Sequence, residues 1–174
     1  MKIALPRFGI DEVEIDPASL IEFPNGLPGF EGCKQFKLFH SEDNPAVFWL
    51  LSVDAPDVVF SITSPEALGV HYNMTLSDEE LAALKSQADD ELQVTVMYSW
   101  KDESSEANAI QAYFDAPIII NVSKQTAVQK ILCFTDYSIQ SCASLLDSTE
   151  DAFASMPEIA NMTHEMQQVS LAAA

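Results

Sequence analysis

The chain has 174 residues, 48% of them hydrophobic, and carries 27 acidic against 8 basic side chains for a net charge of −19. That length fits one domain with a core of its own, and the apolar content argues against global disorder. A surface this acidic repels phosphate backbones and anionic headgroups, which sets direct nucleic-acid and membrane binding aside and favours basic protein partners. Acidity that only confers solubility is the plain alternative.

Short β-rich segments separated by turn chemistry fill the first four fifths of the chain. In order they are 3–5, 13–15, 20–23, 35–39, 47–53, 58–63, 92–100, 109–114, 118–122 and 128–134. Many are rich in β-branched and aromatic residues, and several alternate in polarity, the period-2 signature of a half-buried strand. In 92–100, Leu92, Val94, Val96 and Tyr98 share one face. Many short strands with brief connections predict an antiparallel barrel or sandwich.

One helix interrupts the strands. Ser77-Asp-Glu-Glu80 reads as a capping box with acids in the first turn, leading into Leu81 and Leu84 and ending near Ala88. The polar stretch 101–106 reads as a hairpin tip. From 131 onward there is no Lys or Arg, and Ser155-Met-Pro-Glu158 forms a second capping pattern. Ile159, Met162, Met166 and Val169 then follow at helical spacing as a narrow apolar stripe, which predicts a short helix packed on something else. The expected organisation is a mainly β, barrel-like single domain over 1–139 and an acidic, Ala/Met/Gln-rich helical tail over 140–174.

Cys33, Cys133 and Cys142 form no CxxC pair and are odd in number, which suits a reducing cytosol better than a disulfide framework or zinc knuckle. The apolar stretch at the N-terminus is too short for a signal peptide, and the longest strictly apolar run, 46–51, falls far below the ~20 residues of a membrane span. A soluble cytoplasmic protein is expected. His40, His71 and His164 belong to no ligand spacing, and Cys33 with His40 lacks the setting that lowers a thiol pKa. Gly26-x-x-Gly29 lacks the Lys-Ser/Thr of a phosphate-binding loop. The residues point to no active site, metal or cofactor, and a non-catalytic binding protein is expected.

The most unusual segment is Ile21-Glu-Phe-Pro-Asn-Gly-Leu-Pro-Gly-Phe-Glu31. Pro24-Asn25-Gly26 and Pro28-Gly29 are both turn-forming, since Pro fixes φ and Gly or Asn accepts φ > 0. Two turns this close predict a rigid loop carrying Phe23, Leu27 and Phe30. These side chains either plug the end of a barrel or anchor a partner, and the two roles are compatible.

This segment, followed by Phe36 and Leu38, resembles the opening motif of the FliW family. Further matching stretches follow in order: 48–54, Phe60, Pro65, the 78–81 helix start, and Ala116-Pro-Ile-Ile-Ile-Asn121 with Gln129 and Leu132. The chain departs from the family at Tyr113-Phe114, where Asn-Leu is usual, and at Leu51, where Gln is usual. The resemblance implies a compact β-barrel with two protein partners. One is flagellin, held before export; the other is the RNA-binding translational repressor CsrA, which the protein would antagonise. The expected partner-binding residues are Phe23, Pro24, Asn25, Gly26, Leu27, Gly29, Phe30, Glu31 and Asn121. The tail is longer than the family's, and its stripe Ile159, Met162, Met166 and Val169 is expected, from its spacing alone, to make a contact of its own. A generic acidic interaction module and a small β-barrel hydrolase are the rival expectations.

Overall fold

A computed structural model describes residues 1–5, 10–40, 46–100, 110–132 and 140–141. The tail residues Ile159, Met162, Met166 and Val169, the 101–106 tip, Cys133, Cys142 and His164 lie outside the described residues. The elements are β1 (Lys2–Leu5), β2 (Ile10–Glu14), β3 (Leu20–Glu22), β4 (Gln35–His40), β5 (Phe48–Ser52), β6 (Val59–Thr63), β7 (Val70–His71), α1 (Asp78–Ala83), β8 (Leu92–Trp100), β9 (Ile110–Ala112), β10 (Ile118–Asn121), β11 (Thr126–Gln129) and β12 (Gln140–Ser141). Short 3-10 helices at Pro17–Ser19 and Pro65–Leu68 complete the set.

Seven strands close into a barrel in the order β10-β11-β3-β4-β5-β6-β8. Its closing strand is β8, which pairs with β6 on one edge through Ile62↔Met97 and with β10 on the other from Ile118↔Thr95 to Asn121↔Leu92. Every neighbouring pair in the ring is antiparallel except β3 and β11, which meet in parallel at Thr126↔Glu22. The C-terminal end of β8 carries β9, and the turn 113–117 separates β9 from β10.

The barrel wall is buried on both sides. Ile21, Phe36, Leu50, Ile62, Ile118, Ile120 and Ala127 fill the inside with Phe23, Leu27 and Cys33, as expected of a barrel too small to enclose a channel. On the outside, Phe39, Trp49, Leu51 and Tyr98 are covered by Leu5 and Val13 of the β1–β2 hairpin and by Ile15 just after it. Leu84, just past α1, covers Ile119 and Val128. Alternation in β5 therefore sends Leu50 inward and Trp49 and Leu51 under the hairpin, all three fully or almost fully buried. Each such side chain contributes about 1.5–3 kcal/mol. Burial pushes the Tyr98 phenol up to about 12, against a hydrogen bond with Ser61 that acts the other way.

Several expected boundaries move. The strand expected over 128–134 runs instead from Thr126 to Gln129. Past it, the Lys130 and Leu132 N–H groups bond the Pro117 and Asp115 carbonyls in the 113–117 turn. Ser77 and Glu80 form the expected capping box, but α1 stops at Ala83 rather than near Ala88. There Lys85 turns left-handed, at φ 51, and the Lys85 and Ser86 N–H groups bond back to Ala82 and Leu81. The pair β7–β12 has no counterpart among the expected strands, and it carries the chain's pairing through Ser141.

Candidate functional site

The loop between β3 and β4 is built as the two turns that its sequence demands. Gly26 and Gly29 take φ of 71 and 82. The Gly26 N–H donates to the Phe23 carbonyl (2.9 Å) and the Phe30 N–H to the Leu27 carbonyl (2.7 Å), after which the Cys33 N–H bonds Phe30 (2.9 Å). The Gly29 N–H donates to Glu31 Oε1 at 2.9 Å. That bond, with the N–H of Glu31 itself, holds the Glu31 carboxyl below the usual carboxylate range. Asp54 anchors the far side, accepting from the Lys34 and Gln35 N–H groups at 2.7 and 2.9 Å. The Lys34 ammonium returns to the Pro24 carbonyl at 3.0 Å.

The loop sorts its apolar side chains. Phe23 and Leu27 are buried and plug the barrel, Phe23 meeting Phe36 edge-on with centroids 4.9 Å apart. Phe30 is 39% exposed and stands edge-on against half-buried Phe60 at 5.1 Å, which in turn lies 6.3 Å from Phe36. The result is an aromatic ledge running from the core to solvent. Exposed Asn25, Pro28, Gly29 and Glu31 surround Phe30 in the chain, with Pro24 half-buried and Gly26 buried behind them. Phe60, Lys34 and Asp54 belong to this constellation without standing out as site residues in the sequence. Phe60 lay within a motif, but its place against Phe30 depends on the fold of the loop.

Asn121 does not join the loop. It is fully buried, and its amide donates to the Leu84 carbonyl (3.1 Å) and Asp90 Oδ2 (2.9 Å) while its oxygen accepts from the Lys124 N–H (3.1 Å). The hydroxyl of Thr126 reaches the same Leu84 carbonyl at 2.6 Å. Asn121 thus ties the end of α1 and the 122–125 turn to the barrel. It offers no polar group outward, and it positions structure rather than presenting a contact surface.

The lysines share one habit. Lys2 pairs with Glu12, Lys85 with Glu22, Lys124 with Asp90 and Lys130 with Glu80. Lys34 bonds Pro24, and Lys37 donates to the Ser19 hydroxyl at 2.7 Å. Every lysine among the described residues therefore spends its ammonium inside the chain. Exposed carboxylates, such as Glu14 on the hairpin, Asp78 and Glu79 on α1 and Glu91 just before β8, dominate the field at the surface. Among the described residues no group of three or more His, Cys, Asp or Glu could hold a metal ion, and no helix is long and apolar enough to cross a membrane.

Fold and loop together define a small closed β-barrel protein with a rigid, aromatic-tipped loop at one end. A family model described as FliW protein matches residues 4–142. A flagellar assembly factor FliW of Azoarcus sp. (strain BH72) is 47% identical over 135 residues, covering 76% of this chain and 91% of the relative. A flagellar assembly factor FliW 1 of Desulfotalea psychrophila is 38% identical over 132 residues, covering 75% and 87%. A crystal structure of the flagellar assembly factor FliW superposes with a TM-score of 0.66 at 28% identity, covering 81% of this chain and 96% of that one. The chain belongs to the FliW family of flagellar assembly factors.

Proposed function

We propose that the chain binds flagellin in the cytoplasm before export and antagonises the RNA-binding translational repressor CsrA, coupling flagellin synthesis to secretion. Unexported flagellin sequesters the protein and leaves the repressor active on flagellin mRNA; secretion frees it and translation resumes. The reading rests on family membership across residues 4–142. The net charge of −19 supports the repressor half, because an RNA-binding protein is basic where it meets phosphate. The loop 23–31 supports the flagellin half, since a pre-organised aromatic such as Phe30 can pack against the apolar face of an amphipathic helix at little entropic cost.

Pull-down of purified flagellin and of CsrA by the chain tests both halves, with the pair Phe30→Ala and wild type compared for each. Loss of flagellin with retention of CsrA is the expected outcome for Phe30→Ala. Raising the salt from about 0.05 to 0.5 M shortens the screening length from about 14 to about 4 Å, so association with CsrA slows. Failure to bind either partner at low salt overturns the proposal.

A further inference from the structure

Two residues other than glycine adopt a left-handed backbone among the described residues, Lys85 at φ 51 and Gln125 at φ 52. Both occupy positions where glycine is the usual solution: Lys85 just past the end of α1, Gln125 at the last place of the 122–125 turn. Both converge on one residue. The Gln125 carbonyl accepts from the Glu22 N–H at 2.8 Å, and the Lys85 ammonium meets Glu22 Oε2 at 2.7 Å.

Glu22 is also where the barrel is joined most weakly. β3 and β11 meet only at Thr126↔Glu22 and in parallel, whereas β4 and β5 pair from Phe36↔Ser52 to His40↔Phe48. Parallel pairing is the less stable kind per residue. Beside this seam the Lys85–Glu22 pair ties β3 to the end of α1, with side chains 57% and 49% exposed, so water competes for it. Immediately after Glu22 comes Phe23, the buried plug of the candidate loop. Immediately before Lys85 comes Leu84, whose carbonyl takes both the Asn121 amide and the Thr126 hydroxyl.

We propose that the β3–β11 seam is a releasable joint, by which the state of loop 23–31 is transmitted to the acidic face of α1 and the 122–125 turn. The left-handed turns themselves are held outside the seam, Lys85 by the bonds of the Lys85 and Ser86 N–H groups to Ala82 and Leu81 and Gln125 by the β10–β11 pairing at Asn121↔Thr126, so they persist when it parts. What holds the seam shut is one paired residue and one exposed ion pair, which leaves a small free-energy gap between closed and open forms. A ligand that favours one form at the loop then changes affinity at the α1 face by the same factor, and the reverse holds. The joint is a property of the barrel and stands whether or not flagellin is what the loop binds.

Native-state hydrogen exchange on the full chain tests it. The Glu22 amide should exchange at least tenfold faster than protected amides of β4 and β5, with a weaker dependence on denaturant. Lys85→Gly removes both the strain and the ion pair. Its unfolding midpoint should hold or rise while Glu22 exchange accelerates about two- to fivefold, the worth of an exposed pair; an effect on stability alone would move both together. Gly29→Ala strains the loop without steric contact, since a Cβ there meets nothing within 4 Å. It should quicken Glu22 exchange at least twofold and shift the Lys85, Ser86 and Gln125 amide resonances, with β4 and β5 unmoved. Glu22 exchange that tracks global unfolding in wild type and in Lys85→Gly overturns the joint. Shifts that stop within the loop in Gly29→Ala overturn the coupling.

Discussion

Gly26→Ala and Gly29→Ala make a matched pair in which only one member should be severe. A Cβ on Gly26 would stand 2.8, 2.9 and 3.0 Å from the Glu31 Cα, O and C, all of them backbone atoms that no rotamer change can move. Its φ of 71 adds the left-handed penalty of about 1–2 kcal/mol. Forcing a methyl into occupied space adds about 1–3 kcal/mol, so Gly26→Ala should lose about 2–5 kcal/mol. Gly29, at φ 82 with open space around it, should lose only the conformational part, about 1–2 kcal/mol. Urea unfolding followed by tryptophan fluorescence reads both, since Trp49 is 2% exposed in the folded barrel. The midpoint should fall with an unchanged slope, by two- to threefold more for Gly26→Ala. Equal losses, or a Gly26→Ala loss below about 1 kcal/mol, would refute the close approach of Gly26 to the Glu31 backbone.

Phe30→Ala removes a side chain 39% exposed, so it should cost about 1 kcal/mol, the worth of its edge contact with Phe60, rather than the 3–5 kcal/mol of a buried Phe; thermal melting checks this. Asn121→Ala leaves the Lys124 N–H without its acceptor and takes one of two N–H partners from Asp90 Oδ2, which keeps Gln87; it should cost about 1–3 kcal/mol, read by denaturant midpoint. Tyr98, raised to about 12 from 10.0 by burial, makes the fold weaken at alkaline pH. The stability it confers is complete below pH 10.0, where the unfolded phenol is still protonated, and is lost as pH climbs toward about 12. Tyr98→Phe should flatten that part of the pH–stability curve, and an unchanged slope between pH 10 and 12 would count against the burial.

What could be read in the sequence was local. Runs of β-branched and aromatic residues between turn signals located β4, β5 and β6, period-2 alternation located β8, and the turn pairs Pro24-Asn25-Gly26 and Pro28-Gly29 gave the loop its two left-handed glycines. The capping box at Ser77 and Glu80 fixed the start of α1 because its bonds lie within one turn. Its end was hidden, since Lys85 fills the place where glycine would have announced a stop. A strand of two residues such as β7 has no period to detect. Direction was likewise out of reach: the apolar face shared by Leu92 and Tyr98 packs outward, under the α1 region and the hairpin, because the barrel wall is covered on both sides. Phe23, Leu27 and Phe30 are chemically alike, and only closure of the barrel decides that two go in and one stays out. Asn121 read as a contact residue, yet its partners Leu84 and Asp90 come from a distant stretch of chain, so its tying role appears only in the folded molecule.

Because each described lysine holds a partner within the chain, four of them a carboxylate, amine chemistry on this protein is destructive rather than decorative. Acetylating Lys85 or Lys130, or capturing them with an amine-reactive cross-linker, deletes a tie to Glu22 or Glu80 and in the same step removes one of the few positive charges. Lys130 is the more sensitive of the two, its side chain 12% exposed against 57% for Lys85. Labels attached through amines would therefore report on a loosened barrel, whereas carboxylate-directed reagents would find exposed targets, such as Glu14 on the hairpin and Asp78 and Glu79 on α1, that can be modified without cutting a lysine tie.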